Sequence, residues 1–433
     1  MLFNWSGIRT QRLFQLLLLI VVAVAALYSR GLLLPLQEAM RIAMGLSDNQ
    51  TALLQGLPIA IGVIVAMPFG VLSDRRSRAR LVCAFALLGL VANLLTAWAP
   101  SFALLFIARS VAAFSASANW TCVLSLVASW YLPAQRGRAT MAVSIGALMG
   151  MSAAFALGGV LLAFSDSAAN GWRWAMLGLS VPLAAVLPLM LVLLDPARDA
   201  TDMDTRVKGA YRQLWALRPT VVPLAAGFAL VGGIADGAFL VWAGPTLIRS
   251  FGLSAAHAGV TMASILLLAG LSGPVIGGAL ADIGQRTGGP RRTAMILMSL
   301  LVLSVPAGLF AFAPSATVAI AMLAVFLVCG VAFAVALLTL TTIVIPSHLH
   351  SSSLALFLAI STVSSFAIAP LAVSELSALL GGEAMIGRSL TVVCMIASAL
   401  GAVIFGFARR TWRAAAPETS ARKPTPRYAG AGA

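Results

Sequence analysis

The chain has 433 residues, 61% of them hydrophobic and only 9% charged, with a mean hydropathy of +1.00 and a formal net charge of +15. A soluble domain is roughly 45–50% apolar, so this composition excludes one. The positive charge does not mark a nucleic-acid binder either, because it collects in short segments between long apolar runs.

Twelve such runs follow one another: 14–36, 51–72, 81–99, 102–128, 139–163, 174–194, 220–247, 257–280, 294–313, 315–345, 354–379 and 389–408. These are numbered spans 1 to 12. Each is long enough to cross a bilayer as a helix, and the period-two alternation of a membrane barrel is absent. The expected fold is an all-α integral membrane protein with twelve transmembrane helices. Span 1 lacks a convincing processing site and is expected to be a span rather than a cleavable leader. Cys83, Cys122, Cys329 and Cys394 all fall inside apolar runs, which suits buried thiols better than a disulfide framework.

The one long interior polar segment, 195–219, divides the chain into six spans and six. The expected organisation is an N-terminal bundle over 1–194, a cytoplasmic linker over 195–219, a C-terminal bundle over 220–409, and a disordered basic tail over 410–433. With both termini inside, 22 of the 28 Lys and Arg residues fall in cytoplasmic segments and four, Arg41, Arg173, Arg249 and Arg388, fall outside. The excess of basic residues on one side fixes the orientation, with both ends in the cytoplasm. With only two Lys among 28 basic residues and a richness in Ala, the composition points to a GC-rich bacterial genome, and the expected location is a bacterial inner membrane. The tail is expected to touch anionic lipid headgroups.

The stretch "GVLSDRRSRAR" at 70–80 forms the loop after span 2, and "GALAD" ending at Asp282 repeats "GVLSD" ending at Asp74, 208 residues later. The repeat predicts two pseudo-symmetric six-helix bundles. Acids contribute little to topology, so these two need another role. Asp74 is expected at the start of span 11, where Ser351 to Ser353 offer N-caps, and Asp282 at the start of span 5. Such contacts would latch the halves on the cytoplasmic side.

Three charges lie well inside spans: Arg30, Arg109 and Asp236. Charges at such positions are costly and mark functional sites. Arg30 is six residues before the outer end of span 1, and Arg109 seven after the outer start of span 4. Both therefore lie about 9–10 Å below the outer surface, a depth that permits one anion site. Asp236, in "GGIADGAFLVW", is the only acid deep in a span. It suits either a proton-binding carboxylate or an ion-pair partner of one arginine. Asn119, Trp120, Trp242 and Tyr28 are further candidates for the solute pathway, Trp120 sharing a helix face with Arg109.

Gly70, Leu72, Asp74, Arg75 and Arg78 resemble the loop 2–3 signature of the major facilitator superfamily, with Ser77 where a second Gly is usual. Gly278, Leu280, Asp282 and Arg286 resemble its second copy. "LLFIARS" with Arg109, "WYLPAQRGRAT" and "NGWRWAM" are similar to the superfamily pattern at spans 4, 5 and 6. "YSRGLLLP", "GLSDNQTALLQG" and "VWAGPTLIRSFGLS" are similar to the bacterial spinster-like branch, and the likeness runs over about residues 10–410. The resemblance implies two six-helix bundles, a central cavity, alternating access and a gating role for the seven residues Gly70, Asp74, Arg75, Arg78, Gly278, Asp282 and Arg286. The branch commonly has Asp-Arg near the end of span 1 and Glu seven residues after the span 4 Arg. Here those acids are replaced by Ser29 and Ala116, which leaves Asp236 as the main candidate for proton coupling, with Glu375 a weaker one.

The two lysines stand in "VKG" and "RKP", so no phosphate loop powers a pump. The one His pair, "SHLHSS", has no acid beside it to suit a metal site, and neither an enzyme nor a cofactor is expected. The expected protein is a monomeric secondary transporter of a small organic anion. The alternative is a proton-coupled exporter of lipophilic compounds.

Overall fold

The computed structural model describes residues 5–75, 77–131, 133–164, 170–195 and 210–411. Side chains at 5–10, 66–75, 128, 133–138, 210, 211, 347, 351 and 411 lie outside what it describes. Every described element is helical. Ten stretches are long and apolar enough to cross a membrane. One of them, Ala255–Phe312, doubles back where Gly289 takes φ 64°, a left-handed conformation that glycine adopts at little cost, and so supplies spans 8 and 9. Helix Asp48–Arg75 is span 2. The twelve expected helices are accounted for.

Local chemistry explains the boundaries. Ser77, Ser101, Ser254 and Ser315 each sit in extended backbone at a helix start, and each side-chain oxygen accepts from a backbone N–H three residues on. Gly252 ends span 7 in the left-handed region. Span 1 stops at Gly31, earlier than the apolar run, and a short separate helix, Gln37–Met44, follows. Span 11 begins at His350 without a side-chain cap, and Ser353 Oγ donates to the His350 carbonyl from inside the first turn. The preceding 3₁₀ turn, Ser347–Leu349, starts the helix before the expected caps are reached.

Spans 7 and 11 do not run as unbroken α-helices. Each contains a π-helical turn, Leu230–Ala235 in span 7 and Ser364–Ile368 in span 11, and the two turns face one another. Ser361 Oγ donates to the Gly232 carbonyl at 2.6 Å across this contact. π-turns inside α-helices often mark functional positions.

One apolar core fills the first half, around Leu19, Val82, Leu126, Trp172 and Met176. A second, around Phe239 and Phe326, also takes in Leu34, Ala52, Met151 and Phe155 of the first half, and a third, around Phe333 and Phe405, lies in the second half. The segment after span 6 is tied back: Asp195 Oδ1 accepts from Ala79 N at 3.1 Å, at the first turn of span 3. Arg173, in "NGWRWAM", donates to the Ala97 and Ala99 carbonyls at 2.7 and 2.8 Å and closes the other end of the same helix.

Candidate functional site

Every hydrogen bond and ion pair described between the two halves lies toward one end of the molecule, here named the closed end. Short helix Gln37–Met44 and the start of span 2 bring Glu38, Arg41 and Asp48 together. Span 7 ends beside them with Arg249. Arg249 donates to both Asp48 oxygens at 2.8–2.9 Å and to Glu38 Oε2 at 2.7 and 3.0 Å. Arg41 donates to Glu38 Oε1 at 3.0 Å and to Glu383 Oε1 at 2.7 Å. Asn49 Nδ2 donates to Glu375 Oε1 at 2.7 Å, and Gln37 Nε2 to the Val241 carbonyl at 3.3 Å. A bidentate guanidinium–carboxylate pair fixes geometry as well as charge, so this network holds the two halves in one register.

Close backbone contact supports the same closure. A Cβ on Gly56 of span 2 would collide with the Phe366 carbonyl of span 11. At the paired crossing of spans 5 and 8, a Cβ on Gly259 would come within 2.9 Å of the Gly159 Cα. Only hydrogen fits between these helices.

Below the closed end lie the two arginines. Arg109 is 2% exposed. It donates to Asn93 Oδ1 at 3.1 Å and to the Arg30 carbonyl at 3.2 Å, while Asn93 Nδ2 donates to Ser29 Oγ at 2.7 Å. Spans 1, 3 and 4 are thereby joined by neutral acceptors around one cation. Arg30 is half-buried, and its guanidinium carbon lies 4.4 Å from the centroid of the Phe366 ring in span 11. It forms no hydrogen bond or ion pair through its guanidinium among the described residues. The two cations thus share one neighbourhood, Arg109 facing the bundle interior and Arg30 facing the other half.

Asp236 opens the α-helix that follows the π-turn in span 7. Its Oδ1 is enclosed without a hydrogen-bond partner. A Cβ on Gly330 of span 10 would lie 3.0 Å from it. On its other side is span 12, where Cys394 Sγ contacts the Ala235 carbonyl at 3.8 Å. No ion pair joins Asp236 to either arginine among the described residues. Of the two roles open from the sequence, ion pairing is not what this conformation contains.

The remaining candidates are scattered. Asn119 is 3% exposed with Oδ1 unpaired, and it lines a cavity of about 20 Å³ inside the first half together with Ser29, Ser115 and Ala116. That is room for about one water, so an organic solute does not fit there. Trp120 is half-buried against the first-half core. Trp242 is 0% exposed and donates Nε1 to the Pro370 carbonyl at 3.0 Å, so in this conformation it backs span 11 and presents no surface to a solute. Tyr28 is buried, its hydroxyl without a partner. Gly70, Asp74 and Arg75 carry no described side chain, and the contact expected for Asp74 lies outside the described residues. Arg78 donates to Ser129 Oγ at 2.5 Å, inside its own half. Gly278 has open space at its Cβ position. Asp282 and Arg286 are exposed, and neither forms a hydrogen bond or ion pair among the described residues. The described inter-half ion pairs therefore sit at the end opposite the repeated acidic loops.

Sequence reading did not single out Asn93, Glu38, Asp48 or Phe366. Asn93 carried a signal, as a lone amide in the apolar run of span 3. Glu38 and Asp48 read as ordinary loop acids, and Phe366 as one of 20 Phe residues.

A family model described as Major Facilitator Superfamily matches residues 18–370. A probable 4-methylmuconolactone transporter of Cupriavidus pinatubonensis is 26% identical over 268 residues, 61% of this chain and 60% of that protein. Human protein spinster homolog 1 is 26% identical over 217 residues, 47% of this chain and 40% of that protein. The matches thus span less than two thirds of either relative. Among solved structures, a bacterial homolog of the human lysosomal transporter spinster, inward-facing and unoccupied, superposes with a TM-score of 0.76 at 19% identity, covering 93% of this chain and 99% of that one. A D-xylose–proton symporter superposes with a TM-score of 0.70 at 13% identity, covering 90% and 97%. These structural likenesses concern the fold.

Proposed function

The chain belongs to the major facilitator superfamily and is a multi-pass membrane transporter, and on that premise we propose that its solute is a small organic anion, moved by alternating access. The observation that carries this reading is Arg30. A guanidinium at the junction of two halves, with free donors and no acid beside it among the described residues, is costly unless an anion completes it. A carboxylate accepts two parallel N–H bonds from such a group. Arg109 supplies further positive potential from behind. Asn119 and Trp120 would join the site only in a conformation that widens the small cavity beside Asn119, and Trp242 backs span 11 from the second half. The relative named for 4-methylmuconolactone transport suggests a carboxylate on a compact, largely apolar body as the first solute to try.

In this reading Asp236 is the coupling group. An enclosed carboxylate oxygen without a donor is far less costly as the neutral acid, which suits a proton carried in symport or antiport. The same observation favours the second reading, a proton-coupled exporter of lipophilic compounds, in which Asp236 matters and Arg30 does not. Gating at the basic end falls to Gly70, Asp74, Arg75 and Arg78 and to Gly278, Asp282 and Arg286, engaged when that end shuts. The charge distribution supports both termini in the cytoplasm, and the bacterial relative suits the inner membrane; we propose a monomer as the working unit.

Uptake into proteoliposomes, with and without a pH gradient, separates the readings. The anion reading expects carboxylate flux that Arg30→Gln abolishes. Gradient-driven flux of lipophilic cations or neutral compounds, indifferent to Arg30→Gln and lost in Asp236→Asn, would replace it with the exporter.

A further inference from the structure

We propose that Phe366 is a positioning residue of the solute site: its ring, contributed by the second half, does for the Arg30 guanidinium what a neighbouring acid would otherwise do, and only while the closed end is shut. The inference rests on the anion reading of Arg30 and adds to it the group that holds that arginine.

Among the described residues, Arg30 has no acid to lean on. The preceding residue is Ser29, whose Oγ is taken by Asn93. Ala116 offers no charge. Arg109 itself leans on the Arg30 backbone carbonyl. What meets the Arg30 guanidinium is the Phe366 ring, 4.4 Å away. A cation over an aromatic face is attracted by the ring quadrupole, and the attraction grows when water is excluded. Guanidinium stacks on such faces with its in-plane N–H fork unused. An acid would occupy that fork and neutralise the charge. A ring leaves both for an incoming carboxylate.

The position of the ring is set by the contact between the halves. Phe366 lies in the π-turn Ser364–Ile368, and its carbonyl abuts Gly56 of span 2 so closely that no Cβ fits. The ring therefore approaches Arg30 because spans 2 and 11 touch, at the end that the Arg249–Glu38–Asp48 network holds shut. Parting the halves there withdraws the ring and leaves the guanidinium without it. The anion site is complete in the closed-end conformation and incomplete when that end opens.

The test uses the full chain in proteoliposomes, with Cys83→Ser and nitroxide labels at Ile42→Cys and Leu379→Cys, exposed positions at the closed end of each half. Arg249→Gln is added so that both short and long label distances are populated. Phe366→Leu is expected to lower the closed-to-open ratio by about tenfold, the scale of a desolvated cation–ring contact, while Phe366→Tyr restores it. Arg30→Gln is expected to give the same loss, with no further loss when Phe366→Leu is added. A Phe366→Leu loss that persists undiminished in the Arg30→Gln chain would mean the ring only packs, and would overturn the proposal, as would a ratio that Phe366→Leu leaves unchanged. In benzoate counterflow, Phe366→Leu is expected to raise KM about tenfold with kcat within about twofold, and an unchanged KM in a chain that moves benzoate would likewise overturn it. Should the unaltered chain move no carboxylate at all, the anion reading falls, and the claim that the ring serves a solute site falls with it. The label distances then still decide whether ring and guanidinium are coupled.

Discussion

Arg109 in the first half and Asp236 in the second are both buried ionisable groups inside a transmembrane helix, yet their surroundings differ in kind. Arg109 donates to a side-chain amide and a backbone carbonyl, and the amide is held in turn by Ser29. Asp236 has one oxygen enclosed with nothing to accept from, between a glycine on span 10 and a thiol-bearing helix. A guanidinium carries five donors and stays charged, so neutral oxygens arranged around it suffice. A carboxylate without donors has the cheaper option of taking a proton. The first half is thus built around permanent charge and the second around charge that can be removed.

Four substitutions put that contrast at risk, and their expected effects differ in size. Arg109→Ala has the largest expected effect: it strands Asn93 Oδ1 and the Arg30 carbonyl, at about 1–3 kcal/mol for each buried acceptor left unpaired. Thermal unfolding of the purified protein in detergent measures it, and a melting point equal to that of the parent would mean the network is dispensable. Arg249→Gln comes next. It leaves Glu38 and Asp48 with Arg41 as their one remaining described cation and removes their tie to the second half, and a loss of about 1–2 kcal/mol in closure is expected. Label distances across that end report it, with little change on adding salt because the pair is mostly shielded from water.

Arg30→Gln should cost stability only about 1 kcal/mol, the worth of its ring contact, while anion flux disappears. A melting point that falls as far as in Arg109→Ala would assign Arg30 to the structural network instead. Asp236→Asn has the smallest expected effect on folding, within about 1 kcal/mol of the parent and on either side of it, because the amide matches the neutral acid in shape. Flux driven by a pH gradient is what it should remove. A strongly destabilised Asp236→Asn protein would show that the carboxylate is charged and held after all, and the contrast between the halves would fail.

Much of this was legible along the chain. Twelve apolar runs, the polar break at 195–219 and the repeated Gly-Leu-Asp pattern announced a duplicated bundle, because burial in lipid imposes length and hydropathy on each helix separately. Arg30, Arg109 and Asp236 stood out for the same reason, since a charge within an apolar run is costly wherever it lies. Their partners did not. Glu38, Asp48 and Arg249 stand outside the apolar runs and up to 211 residues apart; Asp48 and Arg249 fall in stretches similar to the spinster-like branch, but no local pattern ties the three together. Phe366 is an apolar residue in an apolar helix until span 11 is laid against span 1. Trp242 illustrates the reverse, an aromatic expected along the solute pathway that packing turned inward onto Pro370 in this conformation.

That the chain crosses the membrane as helices in two matched sets, and which charges are carried into those helices, can be read along the chain, because transfer from water to lipid acts residue by residue. Which of those charges are satisfied, which end of the molecule is shut and which ring meets which guanidinium emerge when the helices pack. Those outcomes depend on distances of a few ångströms between helices far apart in the chain, and hydrogen bonds and cation–ring contacts vanish beyond that range.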